Sequence, residues 1–191
     1  GNPDKVAHQI SGAILDPVLS TAPQGRVAVD TLVNKGKVGL AGEVAAKSQV
    51  DFASIARREI KRLGYSSGHF GFTDRAQIEV LIHEQSGPLS RNAQDQGAGD
   101  QGMMFGYACR ETSELMPLPI TLANRLAERL DLVKSGELPY LRPDGKTQVT
   151  VEYKNGQPVG VSSVVISVPY GSKRPFSQIK SDLYELAVTP V

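Results

Sequence analysis

The sequence lacks several features that mark specialised classes of protein. Its single cysteine, Cys109, has no partner for a disulfide within the chain, which excludes a disulfide-stapled secreted domain. Neither a run of roughly 18 apolar residues nor a signal-peptide pattern occurs, so we expect a cytoplasmic protein with no membrane partner. A net charge of only +1 provides no broad basic field, and we therefore expect no nucleic-acid partner.

What the sequence contains is typical of a globular protein with its own core. Of its 191 residues, 40% are hydrophobic and 21% are charged, which suffices for one large or two small domains. The three histidines, His8, His69 and His83, are scattered without the cysteine or carboxylate spacing of a zinc site. The sequence therefore predicts no zinc centre.

The first half of the chain reads as helix, strand, strand, helix and strand. Asn2 is a good N-cap and Pro3 suits the first helical position, whereas Pro17 predicts a kink or an end of that helix. The elements that follow are strands over residues 27–33 and 38–44, a helix capped by Asp51 and ended by Gly64, and a strand over residues 77–82.

The second half repeats this order without the final strand. Its predicted elements are a helix over residues 119–135, strands over residues 147–153 and 159–168, and a helix over residues 176–187. We therefore expect an α+β fold of repeated helix-strand-strand-helix units, with sheets packed against helices. An apolar segment over residues 103–109 precedes the second unit and has no counterpart before the first. Because unpaired sheet edges invite pairing, a longer form of the chain or another chain is expected to supply the missing strands.

A glycine-rich loop is the clearest candidate for a ligand-binding segment in the sequence. Residues 97–108 read GAGDQGMMFGYA, with three glycines in six residues around Asp100. Without Cβ atoms, the glycines let main-chain N–H groups approach a bound anion, and Asp100 can serve a metal or a cationic group. A tight turn before a buried strand is the alternative interpretation.

This loop closely resembles the GAGDQGxMFGYA signature of the S-adenosylmethionine synthetase (methionine adenosyltransferase) family. Three further segments resemble family motifs in the same order along the chain. They are GNPDKVAHQIS at residues 1–11 against GHPDK(I/V)xDQIS, MPLPI at residues 116–120 against MPxPI, and LRPDGKTQV at residues 141–149 against LRPDxKxQV.

The resemblance covers the N-terminal and central domains of the family but not its third domain. It implies an N-terminal-type domain over residues 1–84 without its first strand, a flexible loop over residues 85–96, and a central-type domain over residues 97–191 without its last strand. The implied activity is formation of S-adenosylmethionine from ATP and L-methionine, with release of phosphate and diphosphate and with Mg²⁺ and K⁺ as cofactors. Family sites lie between subunits, which implies a same-family partner in a homo-oligomer, or in a hetero-oligomer with a chain supplying the missing domain.

The resemblance assigns three charged residues to the two substrates. Glu43 matches the glutamate that receives the methionine amino group, and Asp144 and Lys146 match the segment that contacts ATP. Ordinary structural roles remain as alternatives. An exposed strand carboxylate would explain Glu43, and a Pro-Asp-Gly turn would explain Asp144.

The resemblance assigns the remaining residues to metal binding and catalysis. Asp4 matches the magnesium-binding aspartate, with helix-end stabilisation as the alternative, and Asp30 occupies the place of the glutamate that binds a monovalent cation. Lys5 and Asp100 fall in motifs that line the same site. Asn2 stands at the position of a catalytic histidine, and an asparagine cannot carry positive charge or shuttle a proton. This departure favours a second hypothesis, a catalytically inactive relative that acts as a regulatory or structural partner subunit.

Overall fold

The computed structural model describes residues 3–45, 50–66, 71–84, 101–171 and 173–191. Helices and strands are both prominent in these ranges, which confirms the expected α+β class. The chain divides into two compact units, Gly1–Met103 and Met104–Val191. No helix within the described ranges has the length and apolar character needed to cross a bilayer.

The first unit packs two helices against one face of a three-stranded sheet. Its sheet has the order β1-β2-β3, with β1 antiparallel and β3 parallel to the central strand β2. Apolar side chains from both helices and all three strands form one core cluster. The elements are α1 (Pro3–Thr21), β1 (Arg26–Asn34), β2 (Lys37–Ala45), α2 (Phe52–Arg62) and β3 (Gln77–Glu84).

Of the kink or end predicted at Pro17, the end does not occur, because helix α1 continues past this proline to Thr21. The proline removes one N–H from the helical ladder, but two features hold the last turn in place. Val18 is fully buried, and the Thr21 hydroxyl donates to the Pro17 carbonyl at 3.1 Å. Burial of an apolar side chain in the final turn therefore outweighs the missing hydrogen bond.

The predicted start and end of α2 are confirmed. Asp51 is its N-cap, and the Asp51 carboxylate accepts from the Ser54 N–H at 3.0 Å and from the Ser54 hydroxyl at 2.6 Å. Gly64 follows the last turn with φ +90°, a left-handed backbone conformation that glycine adopts without strain. The cap and the glycine fix where the amphipathic helix begins and ends.

The second unit combines a β-hairpin with two helices. Strands β4 and β5 are antiparallel, with register shifts near Val151 and Tyr153. Leu130, Val133, Leu138 and Leu141 form the centre of its core. The expected helix over residues 176–187 is present, although its last turn is π-helical. The elements are α3 (Leu118–Ser135), β4 (Lys146–Lys154), β5 (Gln157–Ser167), α4 (Phe176–Leu183) and the π-helical turn Tyr184–Val188.

Residues 103–109 do not form a strand, so the interpretation of the glycine-rich loop as a turn before a buried strand is wrong. Met104 is 91% exposed and Phe105 is 88% exposed, and no described strand pairs with this segment. An extended segment without a neighbouring strand has no ladder hydrogen bonds to hold it in a sheet. A run of large apolar side chains is consequently left on the surface.

Candidate functional site

The first turn of α1 carries two of the predicted site residues. Asp4 and Lys5 are exposed, whereas the next two residues, Val6 and Ala7, are buried against the core. Burial of this pair fixes the turn and directs the charged pair outwards. The N–H groups at the start of a helix and the helix dipole favour an anion at this end. The turn therefore offers a carboxylate to a metal ion and an ammonium group to a phosphate.

Two further predicted residues lie on the sheet face of the first unit that points away from the helices. Asp30 pairs with Ala41, and Glu43 pairs with Ala28 on one side and His83 on the other. Residues two apart along a strand share a face, so Asp30 and Glu43 are diagonal neighbours on it. The structure thus brings these two carboxylates to one surface.

The position of Glu43 depends on the glycine before it. Gly42 has φ +143°, and a Cβ at this position would overlap the carbonyl oxygen of Ala28 on the adjacent strand. Only glycine allows the two strands to approach so closely. The neighbouring Gly39 shows the contrast, because a Cβ there would make only an ordinary contact, at 3.8 Å, with Leu32.

In the second unit, Asp144 and Lys146 lie at the turn that leads into β4. Asp144 has φ +81°, which is uncommon for a residue other than glycine. Its Oδ1 atom is buried and has no hydrogen-bond partner among the described residues. Lys146 is the exposed first residue of β4, and the next residue, Thr147, donates to the Ala123 carbonyl of α3 at 2.7 Å. The strand start is therefore anchored, with the lysine facing outwards.

An unpartnered buried carboxylate oxygen is costly, since burial without a hydrogen bond typically costs about 1–3 kcal/mol. Native proteins seldom leave such an atom unsatisfied, and a bound molecule or ion is one common explanation. A hydroxyl or amino donor from a bound molecule would satisfy the Asp144 Oδ1 atom. The residues that precede this turn are also firmly held, because Leu141 is buried in the core cluster of the second unit.

Sequence reasoning missed a side-chain pair next to this turn. Tyr140 donates its hydroxyl proton to the Asp182 carboxylate at 2.7 Å. Burial, followed by the hydrogen bond and charge of Asp182, raises the pKa of Tyr140 to about 12. The hydrogen bonds from Tyr140 and then Gln178 hold the pKa of Asp182 below its ordinary value. Forty-two positions separate the two partners, and no local pattern in the sequence connects them.

Some predicted site residues fall outside the described ranges. Asn2 and Asp100 lie there, as do the glycines over residues 97–99 and the predicted flexible loop over residues 85–96. In the part of the chain that the structure covers, no three histidine, cysteine or carboxylate side chains come together to form a metal cage. Any metal site must therefore use fewer ligands from these residues, or ligands beyond them.

Comparison with protein families gives two matches, which together cover nearly the whole chain. The family model described as S-adenosylmethionine synthetase, N-terminal domain, matches residues 1–87. The model described as S-adenosylmethionine synthetase, central domain, matches residues 95–191.

Individual relatives agree with this assignment. The S-adenosylmethionine synthase of Thermosynechococcus vestitus is 45% identical over 216 residues, with all of this chain and 52% of the relative covered. The protein of the same name from Desulforudis audaxviator is 47% identical over 207 residues, again with 100% and 52% covered. The chain thus spans about half the length of these relatives. On the strength of both domain matches, the chain belongs to the S-adenosylmethionine synthetase family, whose N-terminal and central domains it carries.

Proposed function

We propose that the chain is a cytoplasmic methionine adenosyltransferase that works as one subunit or part of an oligomeric enzyme. It would form S-adenosylmethionine from ATP and L-methionine and release phosphate and diphosphate. In this proposal residues 1–84 are the N-terminal-type domain, residues 85–96 are the connecting loop and residues 97–191 are the central-type domain. Family membership supports the reaction class.

The proposed chemistry determines what the protein must supply. The methionine sulfur attacks the 5′ carbon of ATP and displaces the triphosphate, which water then hydrolyses to diphosphate and phosphate. The displacement itself needs no strong acid or base at the reacting carbon. Alignment of the two substrates and neutralisation of the leaving group are the main requirements. Bound Mg²⁺ would supply positive charge to the phosphate oxygens.

The observation that carries the proposal is the buried, unpartnered Oδ1 atom of Asp144. It lies in the segment that resembles the family's ATP-contacting motif, and its missing donor is the kind of group that the ribose or the adenine of ATP provides. Lys146, two residues later and exposed, can place its ammonium group against a phosphate. A Pro-Asp-Gly turn by itself provides no donor for this buried oxygen.

We propose that the metal ions are coordinated by a few carboxylates of the protein together with the phosphates of ATP, and not by protein ligands alone. Magnesium is commonly held by one or two carboxylates together with substrate phosphates. The exposed Asp4 at the start of α1 can supply one carboxylate, and we propose Asp100 as a further acidic residue of the site. Lys5 would neutralise phosphate charge beside Asp4. We propose the exposed Asp30 as a ligand for K⁺.

For methionine, we propose that Glu43 receives the ammonium group. Glu43 is half-buried on the central strand, so an ion pair there is less screened than one in open water. Gly42 fixes the backbone that presents this carboxylate, as its close approach to Ala28 indicates. Asn2 would contact the triphosphate at the position where the family has a histidine.

The second unit supports the proposal that further same-family polypeptide packs on this chain. A groove of about 1000 Å³ lies between β5 and α4, with Val165, Phe176 and Tyr184 in its apolar lining. Only β4 pairs with β5 among the described strands, which leaves the other edge of β5 open. In the first unit, the strand that follows α2 pairs in parallel with β2. An equivalent strand beside β5 would fill the groove.

The proposed activity is tested by mass spectrometry of S-adenosylmethionine formed from ATP and methionine with Mg²⁺ and K⁺. We expect product from the chain, alone or mixed with a full-length relative that is inactivated by substitution. The Asp144→Asn variant should lose activity on the order of 10²-fold, as expected for loss of a charged active-site contact. Asp16→Asn, an exposed substitution on α1, is the matched control and should retain full activity. Absence of product in both settings would overturn the proposal.

A second candidate function is a catalytically inactive partner subunit, and the identity of residue 2 favours it. Asparagine at the position of the catalytic histidine lacks the positive charge that a triphosphate would attract. An inactive subunit should associate with a full-length relative while forming no product itself. Asn2→His distinguishes the two candidates, because it should leave association unchanged and should raise activity only if the rest of the site is intact.

A further inference from the structure

The backbone just before the Asp144 turn is clamped to a second segment of the same unit. The Gly171 N–H donates to the Tyr140 carbonyl at 2.9 Å, and the Arg142 N–H donates to the Pro169 carbonyl at 2.8 Å. Between these two bonds, Leu141 and Tyr170 form an isolated antiparallel bridge. Residues 140–142 and 169–171 therefore form a short ladder outside the main hairpin. We call this ladder the 140–171 clamp.

The side chain of Tyr140 ties the clamp to α4. Its hydroxyl donates to Asp182 Oδ2 at 2.7 Å, and the other carboxylate oxygen, Oδ1, accepts from Gln178 Nε2 at 2.7 Å. On the face of the ring, the Arg174 guanidinium carbon lies 4.8 Å from the ring centroid, within the range of a cation–π contact. Asp182 and Gln178 of α4, together with Arg174 just before this helix, thus fix both the hydroxyl and the ring of Tyr140.

The turn that follows needs to be held from outside. Asp144 has φ +81°, a backbone conformation that is unfavourable in free energy for any residue with a Cβ atom. Such a conformation persists only where the surrounding structure enforces it. On the far side of the turn, a Cβ at Gly145 would lie 2.5 Å from Leu130 Cδ2, so the backbone there is pressed against α3. The Thr147 bond to α3 fixes the C-terminal side, and the 140–171 clamp fixes the N-terminal side.

We propose that Tyr140 is a positioning residue for the turn that carries Asp144 and Lys146, acting through its hydrogen bond to Asp182. The identification of ATP as the ligand of that turn rests on the proposed function, whereas the mechanical role of Tyr140 does not. Without the Tyr140 hydroxyl, the 140–171 clamp can open. The Asp144 carboxylate can then leave the position in which its Oδ1 atom is buried.

The Tyr140→Phe substitution isolates this role. Phenylalanine keeps the ring, its packing and its contact with Arg174, and removes only the hydroxyl that Asp182 accepts. Asp182→Asn tests the same bond from the other side by weakening a charge-assisted acceptor. Tyr184→Phe is the matched control, because Tyr184 is 64% exposed in the π-helical turn after α4 and phenylalanine keeps the ring that lines the groove beside β5.

Hydrogen exchange of two amides measures the clamp directly, since the N–H groups of Arg142 and Gly171 form its two backbone bonds. In the full chain, Tyr140→Phe and Asp182→Asn should accelerate exchange at both amides by roughly 10-fold, as expected for loss of one hydrogen bond to a charged group. Exchange at Val149 and Val164, which pair within the hairpin, should stay unchanged and show that the effect is local. Tyr184→Phe should leave all four amides unchanged.

A second readout separates positioning of the site from simple structural support. The dissociation constant for Mg²⁺-ATP should rise several-fold in Tyr140→Phe and remain at the wild-type value in Tyr184→Phe. Unchanged exchange at Arg142 and Gly171 would overturn the inference, and so would faster exchange with unaltered ATP affinity. If exchange accelerates but the wild-type chain binds no Mg²⁺-ATP, the positioning of the turn by Tyr140 is supported and the proposed function fails.

Discussion

Gly42 and Asp144 both have positive φ angles. Gly42 directly precedes Glu43, the proposed methionine ligand, and Asp144 is itself a proposed ATP ligand. Such backbone conformations are costly for residues with a Cβ and tend to occur where function requires a particular geometry. Gly42 avoids the cost by having no side chain, whereas Asp144 bears it. At the residue scale, the two proposed substrate contacts therefore depend on the backbone as much as on charge.

Replacing Gly42 by alanine should destabilise the first unit and displace Glu43. The new Cβ would overlap the Ala28 carbonyl oxygen, and the positive φ would be strained as well. We expect the free energy of unfolding to fall by roughly 1–3 kcal/mol, measured by urea denaturation. Gly39→Ala on the same strand is the control and should change stability little, because its Cβ meets only Leu32 at 3.8 Å. Equal effects of the two substitutions would contradict this interpretation.

Tyr140 should ionise later than an ordinary tyrosine as the pH rises. Burial and the neighbouring Asp182 raise its pKa from 10.0 to about 12. The pKa of Tyr140 is higher in the folded state than in the unfolded state. Its contribution to folding stability is therefore fully present below pH 10 and is lost as the pH rises through about 12. Ultraviolet titration of tyrosinate should show one fewer late ionisation in Tyr140→Phe than in the wild type. An unchanged number of late ionisations in Tyr140→Phe would show that the assignment to Tyr140 is wrong.

How far sequence reasoning reaches at this scale depends on the distance between interacting residues. The Asp51 cap could be predicted because its hydrogen bonds reach only three residues along the chain. The bond between Tyr140 and Asp182 could not, because it depends on tertiary packing that brings α4 onto the clamp. The burial of the Asp144 oxygen likewise depends on the packing around the turn.

At the scale of elements, alternation and capping predicted all five strands and four helices of the described ranges to within a few residues. Strand periodicity is a local signal, and the turns at Asn34 to Gly36 and at Asn155-Gly156 mark the two hairpins clearly. Helix α1 does not end at Pro17, because burial of Val18 stabilises the turn that follows the proline. The strand expected at residues 103–109 does not form, because an apolar sequence forms a strand only where a neighbouring strand exists to pair with it.

Loss of the Asp51 cap should destabilise α2 and with it the first unit. In Asp51→Ala the Ser54 N–H loses its acceptor, and the melting temperature should fall by roughly 2–4 °C, measured by circular dichroism. The hydrogen bonds of Ser54 also hold the pKa of Asp51 below its ordinary value, so this contribution should disappear as the pH falls through that lowered pKa. Asp16→Ala, on the exposed face of α1, should leave the melting temperature unchanged. A similar loss in both variants would contradict a capping role.

At the scale of the whole molecule, one exposed surface in each unit is a candidate for packing against further polypeptide. One is the groove beside β5, and the other is the sheet face of the first unit that carries Asp30 and Glu43. Leu32 is 72% exposed and Leu81 is 50% exposed on that sheet face, beside small residues of the central strand. Exposed leucines beside small residues suit packing against the same face of a second subunit.

A charge placed on this face should weaken self-association. We expect the chain to form dimers in sedimentation velocity and Leu32→Asp to shift them towards monomers, because an unpaired carboxylate would be buried in the interface. The control is Leu132→Asp, since Leu132 is 64% exposed on α3 in the other unit. Dimers that persist in Leu32→Asp and dissociate in Leu132→Asp would place the interface elsewhere.

The most direct test of the central claim is isothermal titration of the full chain with ATP in the presence and absence of Mg²⁺. The claim is that Asp144 is a ligand-binding residue and not merely part of a turn. Asparagine tolerates positive φ better than most residues, so Asp144→Asn removes the charge while preserving the turn. We expect Mg²⁺-dependent binding that weakens at least roughly 10-fold in Asp144→Asn, a free-energy loss of about 1.4 kcal/mol, and that is unchanged in Asp16→Asn. Absence of Mg²⁺-dependent binding, or equal affinity in the wild type and Asp144→Asn, would contradict the claim.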